Sequence, residues 1–312
     1  MLTRRRTLGL TGGFLLCPQV LAARTGVTGV QRRSLGDITV TALLDGHLEL
    51  HPDEVLSGVD EAAIPGLLER AFIDGDAVAT AVNAYVIETG GRTILVDGGA
   101  GDAFGPTAGR LLEALEAAGV QADAVDTVFC THLHPDHVGA FTEADGAARF
   151  ANAELVVHDA DRAFWSDDGN FAGAGEMMRN FAGMAQTALA AYADRIRPIA
   201  DGADVAPGVT ARHLPGHTPG HTGLHLESNG EVLLLWADIV HIGPVQFPRP
   251  KATIGFDVDQ PQAAATRRAL FDEVAADRLL VAGSHVSFPS FGHLARRGEG
   301  YAFVPARWPY EG

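Results

Sequence analysis

Positive charge is scarce in this chain of 312 residues. Its 23 Lys and Arg stand against 39 Asp and Glu, a formal net charge of −16, and the surplus of acid repels a phosphodiester backbone, so nucleic acid is not the expected partner. Cysteine is scarcer still. Only Cys17 and Cys130 occur, and one thiol in the body of the chain makes no internal disulfide, so cysteine pairing says nothing of the compartment. No long apolar run is present either: Leu8 to Leu16 is too short to span a bilayer. Internal repeats, low-complexity tracts and Ser/Pro-rich linkers are lacking as well, which argues against a string of modules.

What is present first is an address label. Arg4, Arg5 and Arg6 precede the apolar stretch and the small residues Ala22 and Ala23, the order of a twin-arginine export signal over residues 1–23. The expectation is a periplasmic protein whose residues 24–312 form one domain. With 46% hydrophobic residues that length buries a substantial core.

The remainder alternates short strands and helices. Strands are expected over Ile38–Leu44, Thr80–Glu88, Thr93–Asp97, Val125–Thr131, Val209–Leu214, Gly223–Leu226, Glu231–Trp236 and Arg278–Ala282, with hairpin turns at Gly90-Gly91 and Asn229-Gly230. Helices are expected over Pro106–Ala118, with Leu111, Leu112 and Leu115 on one face, within Gly175–Tyr192, and over Gln260–Val274. Two halves of similar grammar point to an α/β chain with two facing sheets and helices outside.

The chemistry concentrates in "THLHPDHVGA", residues 131–140, where three histidines and an aspartate fall within six positions directly after an apolar strand. In extended chain His132 and His134 point the same way and can share one ion. Pro135 then turns the chain so that Asp136 and His137 can serve another. Imidazole nitrogens with carboxylate oxygens form a set suited to zinc. Further donors follow other strands: His217 in "LPGHTPGH", Asp238 in "LLLWADIV" and His285 in "LLVAGSHVSF". Each stands where side chains converge on one end of a sheet.

The ordered set "THLHPDH", "PGHTPGH", "WAD" and "GSH" resembles the metallo-β-lactamase superfamily, which implies an αββα sandwich with a dinuclear metal site. The resemblance implies that His132, His134 and His217 hold one divalent ion, that Asp136, His137 and His285 hold the other, and that Asp238 bridges both. A narrower similarity, carried by "DGGAGDAFGPTAGRL", "PVQF" and "HVSFPSFGHLARRGEGYAFVP", is to the methyl parathion hydrolase group, whose members cleave organophosphate triesters, lactones and aryl esters. It implies Phe104, Trp165 and Phe181 as pocket aromatics. The sequence departs from that group at His241, where methyl parathion hydrolases carry leucine, and at Ile254 and Phe256. This bulkier, more polar wall favours a planar lactone or aryl ester over a tetrahedral phosphotriester.

The mechanism expected from this set is attack by a water activated between two zinc ions, with Asp136 and Asp238 assigned to catalysis as well as to metal. Asp97, in "ILVDGGA", is expected to orient a ligand histidine, and His221 to brace its loop by hydrogen bonds. The expected partner is a small ester, lactone or phosphotriester, with no nucleic acid and no membrane anchor; a homodimer stays open. Two alternatives remain: a dedicated phosphotriesterase, and a non-catalytic metal-binding protein.

Overall fold

The computed structural model describes residues 29–307. The export segment lies outside the described residues. Two seven-stranded sheets face each other. In spatial order the first contains Val30–Leu35, Ile38–Leu50, Val78–Thr89, Arg92–Val96, Thr127–Cys130, Glu154–His158 and Ile196–Ile199; the second contains Gly300–Pro305, Gly292–Arg297, Leu280–Ala282, Glu231–Leu235, Thr222–Ser228, Val209–His213 and Asp204–Ala206.

Alternation along the strands explains the layering. Ile94, Val96 and Phe129 join Leu224, Leu233, Leu235 and Leu280 between the sheets. Their neighbours Leu95, Val128 and Cys130 point the other way, onto Leu111, Leu115, Ala185 and Leu189 of two outer helices. Behind the second sheet, Leu234, Trp236 and Val281 pack on Leu270, Phe271 and Val274 of the helix Gln260–Asp277. Strands buried on both faces must read as continuous apolar runs. The result is the expected αββα sandwich.

The direction of the strands positions the site. Arg92–Val96, Thr127–Cys130 and Glu154–His158 are mutually parallel, as are Glu231–Leu235 and Leu280–Ala282 in the other sheet. Their carboxyl ends therefore emerge along one edge, where the following loops meet. Both expected hairpins close with positive φ at the two turn residues: 57° and 75° at Gly90 and Gly91, 53° and 81° at Asn229 and Gly230.

Several boundaries differ from expectation. The helix predicted from Pro106 is a short 3₁₀ turn, Gly105–Thr107, then a break at Gly109 (φ 85°), then an α-helix over Leu111–Ala117. Leu112 points outward and is 39% exposed, while Leu111 and Leu115, one turn apart, are buried. The strand beginning at Ile38 runs to Leu50 because a bulge between Leu44 and Gly46 bends it without ending it. Arg278 caps the preceding helix at φ 57°, so the last parallel strand starts at Leu280. Between Leu50 and Val78 an excursion pairs Leu56–Ser57 with Thr253–Ile254 and packs Leu67 and Leu68 on Ile242 and Ile254.

Candidate metal centre

The loop after Thr127–Cys130 is held from two sides. Asp97, at φ 64°, accepts hydrogen bonds from the Thr131 amide (2.9 Å) and hydroxyl (2.9 Å) and from His137 Nδ1 (2.8 Å). Asp161, fully buried, accepts from the amides of Leu133 (3.0 Å) and Gly220 (2.8 Å) and so ties this loop to the one bearing His217. Pro135 then opens a single helical turn, Pro135–Val138, that swings Asp136 and His137 away from the line of His132. The turn abuts residues 98–101 so closely that a Cβ on Gly139 would lie 2.2 Å from the Ala100 carbonyl carbon.

The seven expected donors converge. His132 Nε2 lies 3.1 Å from His134 Nδ1, which is 2.9 Å from His217 Nε2, and His217 Nε2 returns to His132 Nε2 at 3.2 Å. Ligands on a tetrahedron with bonds of ~2.0 Å stand roughly 3.3 Å apart, close to this triangle. Asp136 Oδ2 is 3.6 Å from His137 Nε2 and 3.3 Å from His285 Nε2. Asp238 Oδ2 stands between the groups, 3.0 Å from His285, 3.3 Å from His137, 3.4 Å from His217 and 3.6 Å from His132.

Outward hydrogen bonds show why these residues fit a metal. His137 Nδ1 donates to Asp97, His217 Nδ1 donates to Asp257 (2.8 Å), and His285 Nδ1 donates to the Ala81 carbonyl (2.8 Å). In each neutral ring the remaining lone pair, on Nε2, faces the carboxylates of Asp136 or Asp238. Lone pair against carboxylate is repulsive unless a cation lies between them. Among protein groups alone that cation is a proton: burial opposes charge on His217 and His285, yet Asp238 with Asp257 raises the first to about 9, and Asp238 with Asp136 raises the second to about 10. His137 is held well above its usual range for the same reason, Asp238 being its strongest attractor. Burial, together with the neighbouring histidines, drives His132 and His134 down, which keeps them neutral as ligation requires. His137 Nε2 and Asp238 Oδ1 have no hydrogen-bond partner despite complete burial.

His221 is hydrogen-bonded through both ring nitrogens: its Nδ1 donates to the Leu214 carbonyl (2.7 Å) and its Nε2 accepts from the Asp238 amide (3.0 Å). Nothing in the sequence singles out Asp257 or Asp161, since an acid in a loop or in the first turn of a helix looks like any solvated acid.

Above this cluster opens a cavity of about 470 Å³. Its floor is His134, Asp136, His217, Asp238, His241 and His285; its walls include Phe104, Phe181 and Phe256, with Leu48, Leu50, Pro106 and Met177 unforeseen. Phe104 and Phe181 meet edge to face at 6.5 Å. Two expected wall residues are corrected. Trp165 is fully buried behind the wall, edge-on to His134 at 5.4 Å and stacked on Phe171 at 5.3 Å, so it supports the site from the core. Ile254 is likewise fully buried, engaged with Leu56 across the small sheet. His241 does line the cavity, and it is closer to the metal donors than a wall residue need be: its Nε2 is 3.1 Å from Asp238 Oδ2, and with His217 and Asp238 it forms a further group able to hold a cation. Burial lowers His241 to about 4, against the pull of Asp238, so the ring is neutral near pH 7.

A sandwich of two sheets with this imidazole and carboxylate cluster at one edge defines a metal-dependent hydrolase class. The pattern of the Metallo-beta-lactamase superfamily matches residues 77–285, and the chain belongs to that superfamily. Among solved structures, the hydrolase AbOPH of the beta-lactamase superfamily is 33% identical with a TM-score of 0.84, covering 91% of this chain and 99% of that one. AidC, a dizinc quorum-quenching lactonase in complex with a homoserine product, shares the fold at 24% identity and a TM-score of 0.85, covering 90% and 99%. A quorum-quenching N-acyl homoserine lactone lactonase shares it at 19% identity and 0.59, covering 84% and 100%. None of the curated proteins compared matches the chain.

Proposed function

We propose that this protein hydrolyses neutral lactones or aryl esters with two divalent ions, zinc being the ion the donor set suits, and that organophosphate triesters are secondary substrates. The observation that carries the reading is an apolar, aromatic-walled cavity whose floor is the cluster of Nε2 lone pairs and carboxylates. His132, His134, His217, Asp136, His137, His285 and Asp238 would hold such ions, which would supply Lewis acidity and a water of lowered pKa, towards ~7. The protein's part is placement. Asp238 Oδ2 sits among both sets of histidines, and Asp257, Asp97 and Ala81 fix the rings through their other nitrogens. Asp136 and Asp238 both reach the cavity floor, Asp136 being the more exposed, its side chain 11% exposed against 2% for Asp238. Phe104, Phe181 and Phe256 leave room for a flat group, and His241 narrows the floor with a neutral imidazole. The 33% identity to the hydrolase AbOPH and the fold shared with the dizinc lactonase AidC support this reading.

A panel of one aryl lactone, one aryl ester, one phosphotriester and one β-lactam tests this on the zinc-loaded protein. Highest kcat/KM on the lactone or ester is expected, and His241→Leu should move the ratio towards the triester by about tenfold, equivalent to ~1.4 kcal/mol of transition-state fit. Highest activity on the triester in the parent protein would replace this reading with a dedicated phosphotriesterase. Absence of turnover on the whole panel would favour a non-catalytic metal-binding role.

A further inference from the structure

One charge in the cavity has no counterpart. Among the described residues no lysine or arginine lines it; its acids are Asp136, Asp238 and Glu49, beside four histidines. Asp136 and Asp238 stand among the ring nitrogens of the floor, where the ions they would hold answer their charge. Glu49 is different. It is exposed, it makes no ion pair or side-chain hydrogen bond among the described residues, and His51, two positions on, faces Asp76 (3.8 Å).

The strand that carries Glu49 sets its place. Ile38–Leu50 comes to the cavity beside the loop of Phe104, where a Cβ on Gly46 would stand 2.2 Å from the Thr107 carbonyl oxygen. It ends at Leu50, which joins Phe256 on the cluster around Ile254. Glu49 therefore lies on the rim between two aromatic walls: Phe104, which meets Phe181 edge to face at 6.5 Å, and Phe256. The face of a phenyl ring is the negative part of its quadrupole, so rings and carboxylate act on a bound substituent with the same sign. An anion meets repulsion from both and finds no cationic side chain. An alkylammonium, weakly hydrated and apolar at its surface, is attracted by both.

We infer that the cavity takes an ester or lactone bearing a cationic alkylammonium substituent, and that Glu49 and the phenyl walls form the subsite for that cation. The inference rests on the hydrolase reading and narrows it: the group cleaved stays the neutral ester, and the charge sits on a substituent that reaches the rim. The net charge of −16 adds a long-range pull in the same direction.

The test uses the full chain loaded with zinc and aryl esters whose acyl chain ends in trimethylammonium, in its uncharged tert-butyl isostere or in a carboxylate. A second set carries the same three groups on the leaving phenol. An exposed carboxylate contact and a ring face each correspond to about two- to fivefold. In at least one set the ammonium should therefore exceed the isostere in kcat/KM by about five- to twentyfold, carried by KM, with the carboxylate lowest. Dividing that preference by its value in Glu49→Gln cancels the intrinsic reactivity of the esters. The quotient should be about two- to fivefold and should shrink towards one at ~0.5 M salt. Glu49→Gln hardly alters a net charge of −16, so the quotient reads the subsite and not the field of the whole chain. Phe256→Leu, apolar but without a π face, should lower the ammonium ester more than the isostere. Calorimetric binding of the matching non-hydrolysable ketones keeps the two readings apart: if no ester is cleaved yet the ketones keep the same order and its dependence on Glu49, the subsite stands and the hydrolase reading fails. Ammonium no better than isostere in both sets, by turnover or by binding, overturns the subsite, as does a preference that Glu49→Gln leaves intact.

Discussion

Asp45 holds a wall of the cavity without touching it, and Asp45→Asn measures how much. The residue is the extra one in the bulge of Ile38–Leu50 and is fully buried. Its Oδ2 accepts from the amides of Ala100 (3.1 Å) and Gly109 (2.8 Å), and its Oδ1 accepts from Leu111 (2.8 Å). These bonds fasten both ends of the loop that carries Phe104, Pro106 and Thr107 into the cavity. Burial pushes the Asp45 carboxyl up, and the backbone donors pull it back. Asparagine has one acceptor oxygen. Turned to keep Ala100 and Gly109, it sets an amide N–H₂ against the Leu111 N–H and strands a buried donor, which costs about 1–3 kcal/mol, and the two bonds it keeps lose their charge assistance. Relief of carboxylate desolvation offsets part of this, leaving a net loss of ~2–3 kcal/mol. For a chain of this size that corresponds to roughly 3–5 °C in Tm. Calorimetry of the zinc-loaded protein should show the shift, with KM for a neutral aryl ester rising more than kcat falls. A Tm within about 1 °C of the parent, with KM unchanged, would refute the clamp.

Three further outcomes follow from the site. Asp257→Ala, which frees His217 Nδ1, should weaken zinc binding by about 10- to 100-fold in a chelator competition; unchanged affinity would show that the contact does not orient the ligand. With His217 held at about 9 and His285 at about 10, both rings carry protons below those values, so metal entry at pH 7.5 must displace them. Titration with zinc in weak buffer should release at least two protons per chain, and apparent affinity should rise with pH towards that range; zinc uptake with no proton release would contradict the assignment. Trp165→Phe should lower Tm while leaving the ranking of substrates unchanged, because the indole lies behind His134. A changed ranking at equal metal content would return Trp165 to the pocket wall.

The donors were legible because their signal is local. His132, His134, Asp136 and His137 crowd one strand end, and His217, Asp238 and His285 each follow an apolar run whose burial on both faces is written in its composition. The groups that hold them were not. Asp45 was hidden because a bulge breaks the alternation by which a strand's faces are read, and Asp161 and Asp257 act across 28 and 40 positions of sequence on Leu133 and His217. The aromatic wall was half legible: Phe104 and Trp165 are both large and apolar, and only packing decides that one faces the cavity and the other the core. The interrupted helix at 105–117 was missed because the positive φ of Gly109 is set by the Asp45 clamp rather than by the residues beside it.

On the proposed function, bound metal drives hydrolysis of a neutral ester or lactone. The most direct measurement strips the protein with chelator, returns zinc in fractional equivalents and follows aryl-lactone turnover beside bound metal, in the parent and in Asp238→Ala. Turnover should be lost on stripping and regained up to a break at two ions per chain, with Asp238→Ala binding fewer ions and recovering at least 100-fold less activity, about 2.7 kcal/mol or more in the barrier. Turnover that survives stripping, or that reaches its plateau with one ion bound and is indifferent to Asp238, would contradict it.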